Sequence, residues 1–333
     1  MSVVLTRSRV SNALRCYISY ALNRLGSALF RSSIHPFTHS PLFVSVEPAA
    51  VCQLRCPACP VGLRDNEKPI ANSQKLMSKP VWQRTLSEVA KSAWVIQFYF
   101  QGEPLLNKNL PSMIREAHEA GLYTIVSTNA QALTSEMAEA LVSAGLDRII
   151  SSMDGLTDES YSAYRVGGSL DKAKAAIGYL KESRSRHLEV SRSPIIELQC
   201  LRLKSNEHEW SEFKRVYKSL GADKLTFKTA QLYDYQKGHP LMPSDPRYSR
   251  YVQGADGRYH RKPLRKGCFR VWSGAVVTTN GDVLPCCYDK SHAYAYGNIM
   301  NAPMTELFHN EKARAFRKAA FQQAPDICRE CWK

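Results

Sequence analysis

Six short apolar runs alternate with amphipathic stretches between residues 42 and 230, and this alternation constrains the fold more than any other feature of the chain. The runs that we predict to be strands are 42–46, 95–100, 123–127, 148–152, 195–201 and 224–228. The stretches predicted to be helices are 80–91, 110–120, 135–144, 170–182 and 207–220. Repeated strand–helix units build a parallel sheet, and right-handed crossovers roll such a sheet into a full or partial barrel.

Polar segments follow the first four predicted strands. A cysteine-rich loop follows the first strand, the segment 101–104 follows the second, Ser127 and Asn129 follow the third, and Asp154 follows the fourth. In a barrel of parallel strands, the loops after the strands share one face, which is where barrel enzymes place their active sites. We therefore expect these segments to converge on one catalytic rim.

The loop after the first strand carries Cys52, Cys56 and Cys59 in a C-x-x-x-C-x-x-C pattern. Thiolates select soft metals and iron–sulfur clusters, and three of them can hold three corners of a cubane while one iron keeps no protein ligand. A structural zinc site is the alternative, but such sites usually close with a fourth ligand, and no Cys or His follows nearby. Clustered cysteines in a long chain without a cleavable secretory signal indicate a reducing, cytoplasmic environment rather than disulfides.

Residues 42–230 resemble the radical S-adenosylmethionine (radical SAM) superfamily, whose hallmark is this cysteine loop after the first strand of a partial (β/α)6, TIM-like barrel. The resemblance implies that α/β fold and a 4Fe-4S cluster on Cys52, Cys56 and Cys59. It implies that S-adenosylmethionine chelates the open iron and that one electron cleaves it to a 5'-deoxyadenosyl radical. An electron donor such as flavodoxin or ferredoxin is then expected as a partner.

Several rim residues match the superfamily's cofactor-binding segments. Gln101, Gly102, Glu103 and Pro104 resemble its G-G-E-P turn, with Gln in place of the first Gly, and the match implies that Glu103 receives the cofactor's ammonium group. The resemblance implies further cofactor contacts from Ser127, Asn129, Ser152, Asp154 and Arg165. From the residues alone, ordinary turns, helix caps or an exposed arginine remain the alternatives.

A second group of cysteines lies near the carboxyl end of the sequence and resembles the SPASM or twitch extension of the superfamily. Its parts are a Gly281-to-Cys286 hairpin motif, a turn at Gly297, and a C-x-x-C pair. The resemblance implies a small cysteine-rich domain with a second 4Fe-4S cluster on Cys268, Cys286, Cys328 and Cys331. Cys287 is then a spare or exchanged ligand, and a structural zinc ribbon stays open as the alternative.

These features divide the chain into a basic segment at 1–41, a barrel at 42–231, a linker at 232–267 and a cluster domain at 268–333. The first segment has no acidic residue and carries an apolar series at helical spacing, with Val10, Leu14, Tyr17 and Leu25 among its members. Polar residues interrupt the apolar series, so the segment has too few consecutive apolar residues to span a membrane. It can dock on the barrel, lie on an anionic membrane surface, or act as an organelle transit segment.

The formal net charge of +15 suggests an anionic partner, although the basic residues are spread over the whole chain. The densest local set is Arg258, Arg261, Lys262, Arg265 and Lys266. We hypothesise that this set binds a phosphorylated, acidic or lipid-linked substrate, with a solvated hairpin as the alternative. Nucleic acid is not the expected partner, because no RNA-binding module is recognisable.

In a radical SAM enzyme, an auxiliary cluster can accept an electron from the substrate radical. The expected reaction is therefore a net oxidation of the substrate, such as dehydrogenation or cross-linking. Nothing in the sequence selects among a sugar, a lipid-linked intermediate and a peptide. Weak candidates for catalytic side chains at the rim are Cys200, Tyr99 and Lys228, with a packing role as the alternative for Cys200. The competing functions are a nucleic-acid-modifying iron–sulfur protein and a non-catalytic cluster carrier.

Overall fold

The computed structural model of the chain describes residues 4–29, 37–63, 74–187, 194–262, 267–322, 324–329 and 331. Six parallel strands, each paired with the next in sequence, form the barrel wall: β1 (Phe43–Val46), β2 (Val95–Phe98), β3 (Tyr123–Thr128), β4 (Arg148–Ser152), β5 (Ile195–Arg202) and β6 (Lys224–Thr229). The predicted α/β fold, a partial barrel with six parallel strands, is thereby confirmed.

Helices precede the barrel and connect its strands: α1 (Arg7–Leu29), α2 (Lys79–Val89), α3 (Leu110–Glu119), α4 (Ser135–Ser143), α5 (Asp158–Ser162), α6 (Leu170–Arg186) and α7 (Trp210–Val216). The last of these begins later than predicted, because a 3-10 helix at Lys204–Glu209 precedes it, and it ends at Val216, where turns take over. The Asn206 amide donates to the carbonyls of Asp154 and Leu201 and so ties this turn to the ends of β4 and β5.

The two faces of the barrel strands differ in chemistry. Side chains that point toward the helices are apolar and buried, including Val44, Ile96, Val126, Ile149 and Leu198. Side chains alternate along a strand, so the paired residues Ser45 and Gln97, and likewise Ser152 and Gln199, point into the lumen. The main core therefore lies between sheet and helices, and the lumen keeps a polar lining.

The carboxyl-terminal region continues the barrel sheet. A β-hairpin in the linker, formed by β7 (Tyr251–Gln253) and β8 (Tyr259–Arg261), precedes it. Its own elements are α8 (Arg270–Ser273), β9 (Gly274–Val277), β10 (Asp282–Leu284), β11 (Gly297–Asn298), α9 (Met304–Leu307), α10 (Glu311–Gln322) and α11 (Asp326–Arg329). β9 pairs in parallel with β1, and β10 and β11 extend the sheet in antiparallel order. The predicted hairpin before Cys286 is present, and it adds to the open edge of the barrel.

Helix α1 packs across the amino-terminal ends of the barrel strands. The Arg9 guanidinium is 2% exposed and donates to the carbonyls of Ala90, Ala120 and Gly121, at the carboxyl ends of α2 and α3. The Cys16 thiol, fully buried, approaches the Trp272 carbonyl at 3.4 Å. Docking on the barrel is thus observed for this segment. Within the described parts of the chain, no helix is long and apolar enough to cross a membrane.

The segment between β6 and α8 folds over the cysteine loop. Leu232, Leu241, Met242 and Tyr251 form a second apolar cluster together with Leu54 and Cys56 of that loop. The Tyr251 hydroxyl donates to the Leu232 carbonyl and accepts from its amide, which holds the segment in shape. This predicted linker is therefore a packed cover on the carboxyl-end rim.

Candidate active site

The cysteine loop after β1 is pinned from several sides. The Cys59 amide donates to the Cys56 carbonyl at 3.1 Å, and the Arg55 amide donates to the Val166 carbonyl at 3.0 Å. Gly62 passes so close that a Cβ atom there would lie 2.5 Å from the Cys56 nitrogen. The three thiols therefore sit in a loop whose backbone has little freedom to move, as cluster ligands require.

The segment 101–104 lies directly against this loop. Gly102 adopts φ +66°, and a Cβ atom there would lie 2.3 Å from the Ala49 carbonyl oxygen, so only glycine fits. The Gln101 amide donates to the Lys290 carbonyl at 3.0 Å. The glutamine that departs from the family pattern thus joins the barrel rim to the cysteine-rich region, which sequence spacing gave no means to foresee.

Glu103 organises the rim between β2 and β3. Its buried carboxylate accepts from the Leu105 amide at 3.1 Å, from the Thr128 hydroxyl at 2.6 Å and from the Asn129 amide at 2.8 Å. Burial raises the pKa of Glu103, and these donors act in the opposite direction. Three of about four acceptor positions are used, so one remains for a ligand.

Asn129 connects this network to the cysteine loop. Its side-chain amide donates to the Cys52 sulfur at 3.4 Å, and its side-chain oxygen accepts from Gln53 at 3.2 Å. Ser127 and Ser152 lie at the carboxyl ends of β3 and β4 on the lumen side of the sheet. The structure therefore brings these three predicted positions to one rim.

Asp154 and Arg165 form a buried ion pair beside the cluster loop. Arg165 Nε lies 2.6 Å from Asp154 Oδ2, and Asp154 Oδ1 accepts from the Leu201 amide at 2.6 Å. An Arg165 terminal nitrogen lies 3.9 Å from the Cys56 sulfur. Burial acts to lower the pKa of Arg165. The negative charges beside it, that of the Asp154 carboxylate first, act to raise the pKa and together outweigh burial, so the net shift is upward. Asp154 is fully buried, and each of its oxygens has a partner, so it orients Arg165; a contact of Asp154 with the cofactor stays a prediction.

The thiols of the loop suit a metal cluster chemically. Burial raises the pKa of Cys52, and it raises the pKa of Cys56 to about 11, with Arg165 opposing the shift of Cys56. Such thiols become thiolates when a metal binds beside them. In the described ranges, no three His, Cys, Asp or Glu side chains converge on a single ion position.

The carboxyl-terminal cysteines also come together in space. Cys286, Cys328 and Cys331 lie within electrostatic reach of one another, meaning near enough to affect each other's pKa, and Cys268 lies within reach of Cys328. Burial raises the pKa of Cys286 strongly and that of Cys328 to about 12. Cys287 instead lies within electrostatic reach of the lumen side chains Tyr99 and Lys228. Of the two adjacent cysteines, Cys286 is therefore near the other carboxyl-terminal cysteines, whereas Cys287 is also near the lumen side chains.

The lumen near the rim is cationic. Burial lowers the pKa of Lys228; Cys287 opposes this shift, and the cations Arg270, Arg148 and Arg250 add to it. Burial also raises the pKa of Tyr99, which shares these neighbours in part. Neither Lys228 nor Arg270 has a carboxylate partner among the residues that the structure describes.

Cys200 is placed away from the lumen. Its side chain is fully buried and belongs to the main core together with Ile196 and Leu198, on the helix-facing side of β5. Its thiol contacts the Leu201 carbonyl at 3.3 Å, and burial raises its pKa well above the ordinary value. The structure contradicts the prediction that Cys200 acts at the rim and agrees with the packing role.

The members of the predicted basic set have different environments. The Lys262 ammonium donates to the carbonyls of Pro246 and Ser249 at 2.8 Å, and Arg261 donates to the Tyr235 hydroxyl at 3.0 Å. These two residues hold the rim cover together. Arg258 is exposed, and residues 265 and 266 lie outside the described residues.

Two family profiles match this chain. Residues 46–195 match the radical SAM superfamily, and residues 268–332 match SPASM, an iron–sulfur cluster-binding domain. The first match spans β1 to the start of β5 with the cysteine loop and the rim segments. The second begins at Cys268 and contains all the carboxyl-terminal cysteines.

Curated relatives are similar over most of the chain. PqqA peptide cyclase of Rhodopseudomonas palustris is 27% identical over 316 residues, covering 87% of this chain and 79% of that enzyme. PqqA peptide cyclase of Xanthomonas campestris pv. campestris is 25% identical over 320 residues, covering 88% and 80%. The similarity therefore extends through barrel, rim cover and SPASM region alike.

Solved structures share the fold. The structure of anSMEcpe with bound AdoMet has a TM-score of 0.63 at 20% identity, covering 85% of this chain and 81% of that one. Streptococcus suis SuiB bound to S-adenosylmethionine has a TM-score of 0.62 at 15% identity, covering 84% and 68%.

The matched families imply their cofactors: a 4Fe-4S cluster with S-adenosylmethionine for the radical SAM domain, and a further iron–sulfur cluster for the SPASM domain. The three thiols of one fixed loop and the second group of cysteines agree with both cofactors. The chain is therefore an enzyme of the radical S-adenosylmethionine superfamily, with a carboxyl-terminal SPASM domain.

Proposed function

We propose that Cys52, Cys56 and Cys59 hold the 4Fe-4S cluster that cleaves S-adenosylmethionine reductively, and that the enzyme oxidises its substrate after hydrogen abstraction. The observation that carries the proposal is the cysteine loop with nitrogen donors beside two of its sulfurs: Asn129 Nδ2 lies 3.4 Å from the Cys52 sulfur, and an Arg165 terminal nitrogen lies 3.9 Å from the Cys56 sulfur. Donors beside sulfur ligands tune a cluster and fix its orientation.

The rim residues take distinct roles in this proposal. Glu103 offers its remaining acceptor position to the cofactor's ammonium group while it holds Asn129 and Thr128 in place. Arg165, oriented by Asp154, compensates negative charge beside Cys56 and supplies donors to the cofactor's carboxylate. Ser127 and Ser152 contribute hydroxyl groups from the lumen ends of their strands.

We assign the auxiliary cluster to Cys268, Cys286, Cys328 and Cys331. The mutual electrostatic reach of Cys286, Cys328 and Cys331, and of Cys328 with Cys268, supports this set. An electron acceptor at this place suits net oxidation, such as dehydrogenation or cross-linking. Flavodoxin or ferredoxin remains our expected electron donor.

The cationic lumen supports a substrate that carries an anionic group. Arg270, Arg148 and Arg250 lie near enough to Lys228 to lower its pKa, and of these Arg148 is paired with the Glu197 carboxylate. Clustered cations in a cavity repel one another unless a bound anion compensates them. The curated relatives are peptide cyclases, so we favour a peptide with an acidic or phosphorylated side chain over a sugar or a lipid-linked intermediate.

The test is anaerobic reconstitution with iron and sulfide, followed by addition of S-adenosylmethionine and dithionite and assay of 5'-deoxyadenosine. The variant Cys52→Ala/Cys56→Ala/Cys59→Ala is expected to lose 5'-deoxyadenosine formation entirely, while it keeps the auxiliary iron. Cys200→Ala is the matched control, because its buried thiol lies outside the site. A triple variant as active as wild type would refute the ligand assignment. An inactive wild type that retains both clusters would instead favour a non-catalytic cluster carrier.

A further inference from the structure

Helix α1 docks through a face that carries several polar side chains, and four members of the apolar series predicted from its sequence remain exposed. The residues that it buries against the barrel are mostly polar: Arg9, Cys16, Ser19 and Asn23 are each at most 3% exposed. Asn12 bonds to the carbonyls of Ser40 and Ser92. Specific hydrogen bonds therefore fix this helix on the barrel, together with Ala13, Cys16 and Tyr20, which pack in or against the main core.

The apolar stripe of the helix faces outward as a consequence. Val10 is 50% exposed, Leu14 58%, Tyr17 62% and Leu25 60%. At 3.6 residues per turn, these four positions lie within an arc of about 80° on one side of the helix. Ile18, Ala21 and Leu22 of the same series are partly buried. Soluble surfaces scatter exposed apolar side chains singly, whereas four on one side of a helix indicate a binding surface.

Charge identifies what covers the stripe. The sequence has no acidic residue before Glu47, and Arg7, Arg15 and Arg24 are exposed on α1. Helix α10 packs beside α1 through the Tyr20–Phe321 ring pair. It exposes three further cations, Lys312, Arg314 and Lys318. An apolar stripe flanked by cations is the pattern of helices that lie in the interface of an anionic lipid bilayer.

We propose that α1 binds the enzyme peripherally to an anionic membrane surface through the stripe Val10, Leu14, Tyr17 and Leu25. The helix crosses the amino-terminal ends of the barrel strands, whereas the cysteine loop and the rim follow their carboxyl ends. The active-site mouth therefore points away from the lipid, and the substrate reaches it from the aqueous side. Binding of this kind is independent of S-adenosylmethionine cleavage.

The test is sedimentation of the reconstituted full chain with vesicles of phosphatidylcholine alone or with about one third phosphatidylglycerol, an anionic content that attracts basic helices. Wild type is expected to sediment with the anionic vesicles and not with the neutral ones. Leu14→Glu/Leu25→Glu is expected to lower the partition coefficient about ten-fold or more, because two charges then oppose insertion. The matched control, Tyr179→Glu/Met300→Glu, alters side chains of 37% and 48% exposure outside α1 and should sediment like wild type.

Each outcome decides the proposal. Wild type that stays in the supernatant with anionic vesicles overturns it, as does a Leu14→Glu/Leu25→Glu variant that sediments like wild type. Light scattering that shows a dimer for wild type and a monomer for the variant, without vesicle binding, would assign the stripe to a second copy of the chain. Unchanged 5'-deoxyadenosine formation and melting temperature in the variant confirm that it folds.

Discussion

Glu103 shows how one buried carboxylate links motif and geometry. Its three donors come from Leu105, Thr128 and Asn129, and all are fixed N–H or O–H groups. In Glu103→Gln, an amide NH2 must face one of these donors, so we expect a loss of about 1–3 kcal/mol in stability together with weaker S-adenosylmethionine binding. Thermal unfolding and equilibrium dialysis measure the two effects.

Glu116→Gln is the matched control for this prediction, since Glu116 accepts one bond from Trp82 at 2.8 Å away from the rim. Glu103→Gln that keeps wild-type stability yet loses cofactor binding would mean that Glu103 acts only by direct contact. Wild-type behaviour in both measurements would contradict the assigned role.

Single residues were predictable where a motif fixes spacing and unpredictable where folding joins distant segments. The cysteine loop, Glu103 and Asn129 could be placed on one rim because each follows a predicted strand. The bonds of Gln101 to Lys290 and of Asp154 to Leu201 could not, since they depend on which loops meet after the sheet closes. The candidate role of Cys200 at the rim fails for a related reason. Side chains alternate along β5, so a shift of one residue moves a side chain from the lumen to the core, and Cys200 lies on the core side.

At the scale of elements, Arg9 holds α1 to the barrel. Its guanidinium donates to carbonyls at the ends of α2 and α3, where the helix dipoles favour a cation. Arg9→Met keeps the length of the side chain but leaves several buried carbonyls without donors. We expect the melting temperature to fall by about 5 °C or more, measured by calorimetry of the anaerobic protein. Arg15→Met, at an exposed position of the same helix, should melt like wild type, and equal melting of Arg9→Met would contradict this role.

Helices and strands of the barrel were predictable because their apolar periods report burial on one face. Helix α1 shows where that inference fails. Its apolar period is real, yet Val10, Leu14, Tyr17 and Leu25 stay exposed, while the docked face uses Arg9 to supply donors to the carbonyls that end α2 and α3. The same logic explains the 3-10 helix before α7, which Asn206 imposes against the helical period.

Across the whole molecule, the SPASM region and the barrel form one sheet, in which β9 extends the edge of β1. A sequence divided into domains at the cysteine groups does not reveal this continuity, because strand pairing between distant segments leaves no local pattern. The consequence is that Arg270 in α8 and Cys287 after β10 come near enough to Lys228 to affect its pKa. The cationic region of the lumen therefore belongs to both parts of the enzyme.

This arrangement gives a prediction for the whole enzyme. If Lys228 and Arg270 bind an anionic group of the substrate, the reconstituted enzyme should bind inorganic pyrophosphate as a probe of that site. Lys228→Met/Arg270→Met should weaken this binding about ten-fold or more, because charge-assisted hydrogen bonds contribute roughly 1.5–3 kcal/mol each. Isothermal titration calorimetry under anaerobic conditions makes the measurement.

Lys224→Met is the control, since Lys224 lies on the same strand and the same face but at the far end of the lumen, 3.8 Å from Glu197. Its pyrophosphate affinity should equal that of wild type. A wild-type holoenzyme that does not bind pyrophosphate, together with loss of auxiliary iron in Lys228→Met/Arg270→Met, would show that these cations compensate the auxiliary cluster and do not bind substrate. Weakened binding with full iron content would instead place the acidic part of the substrate between the barrel and the SPASM region.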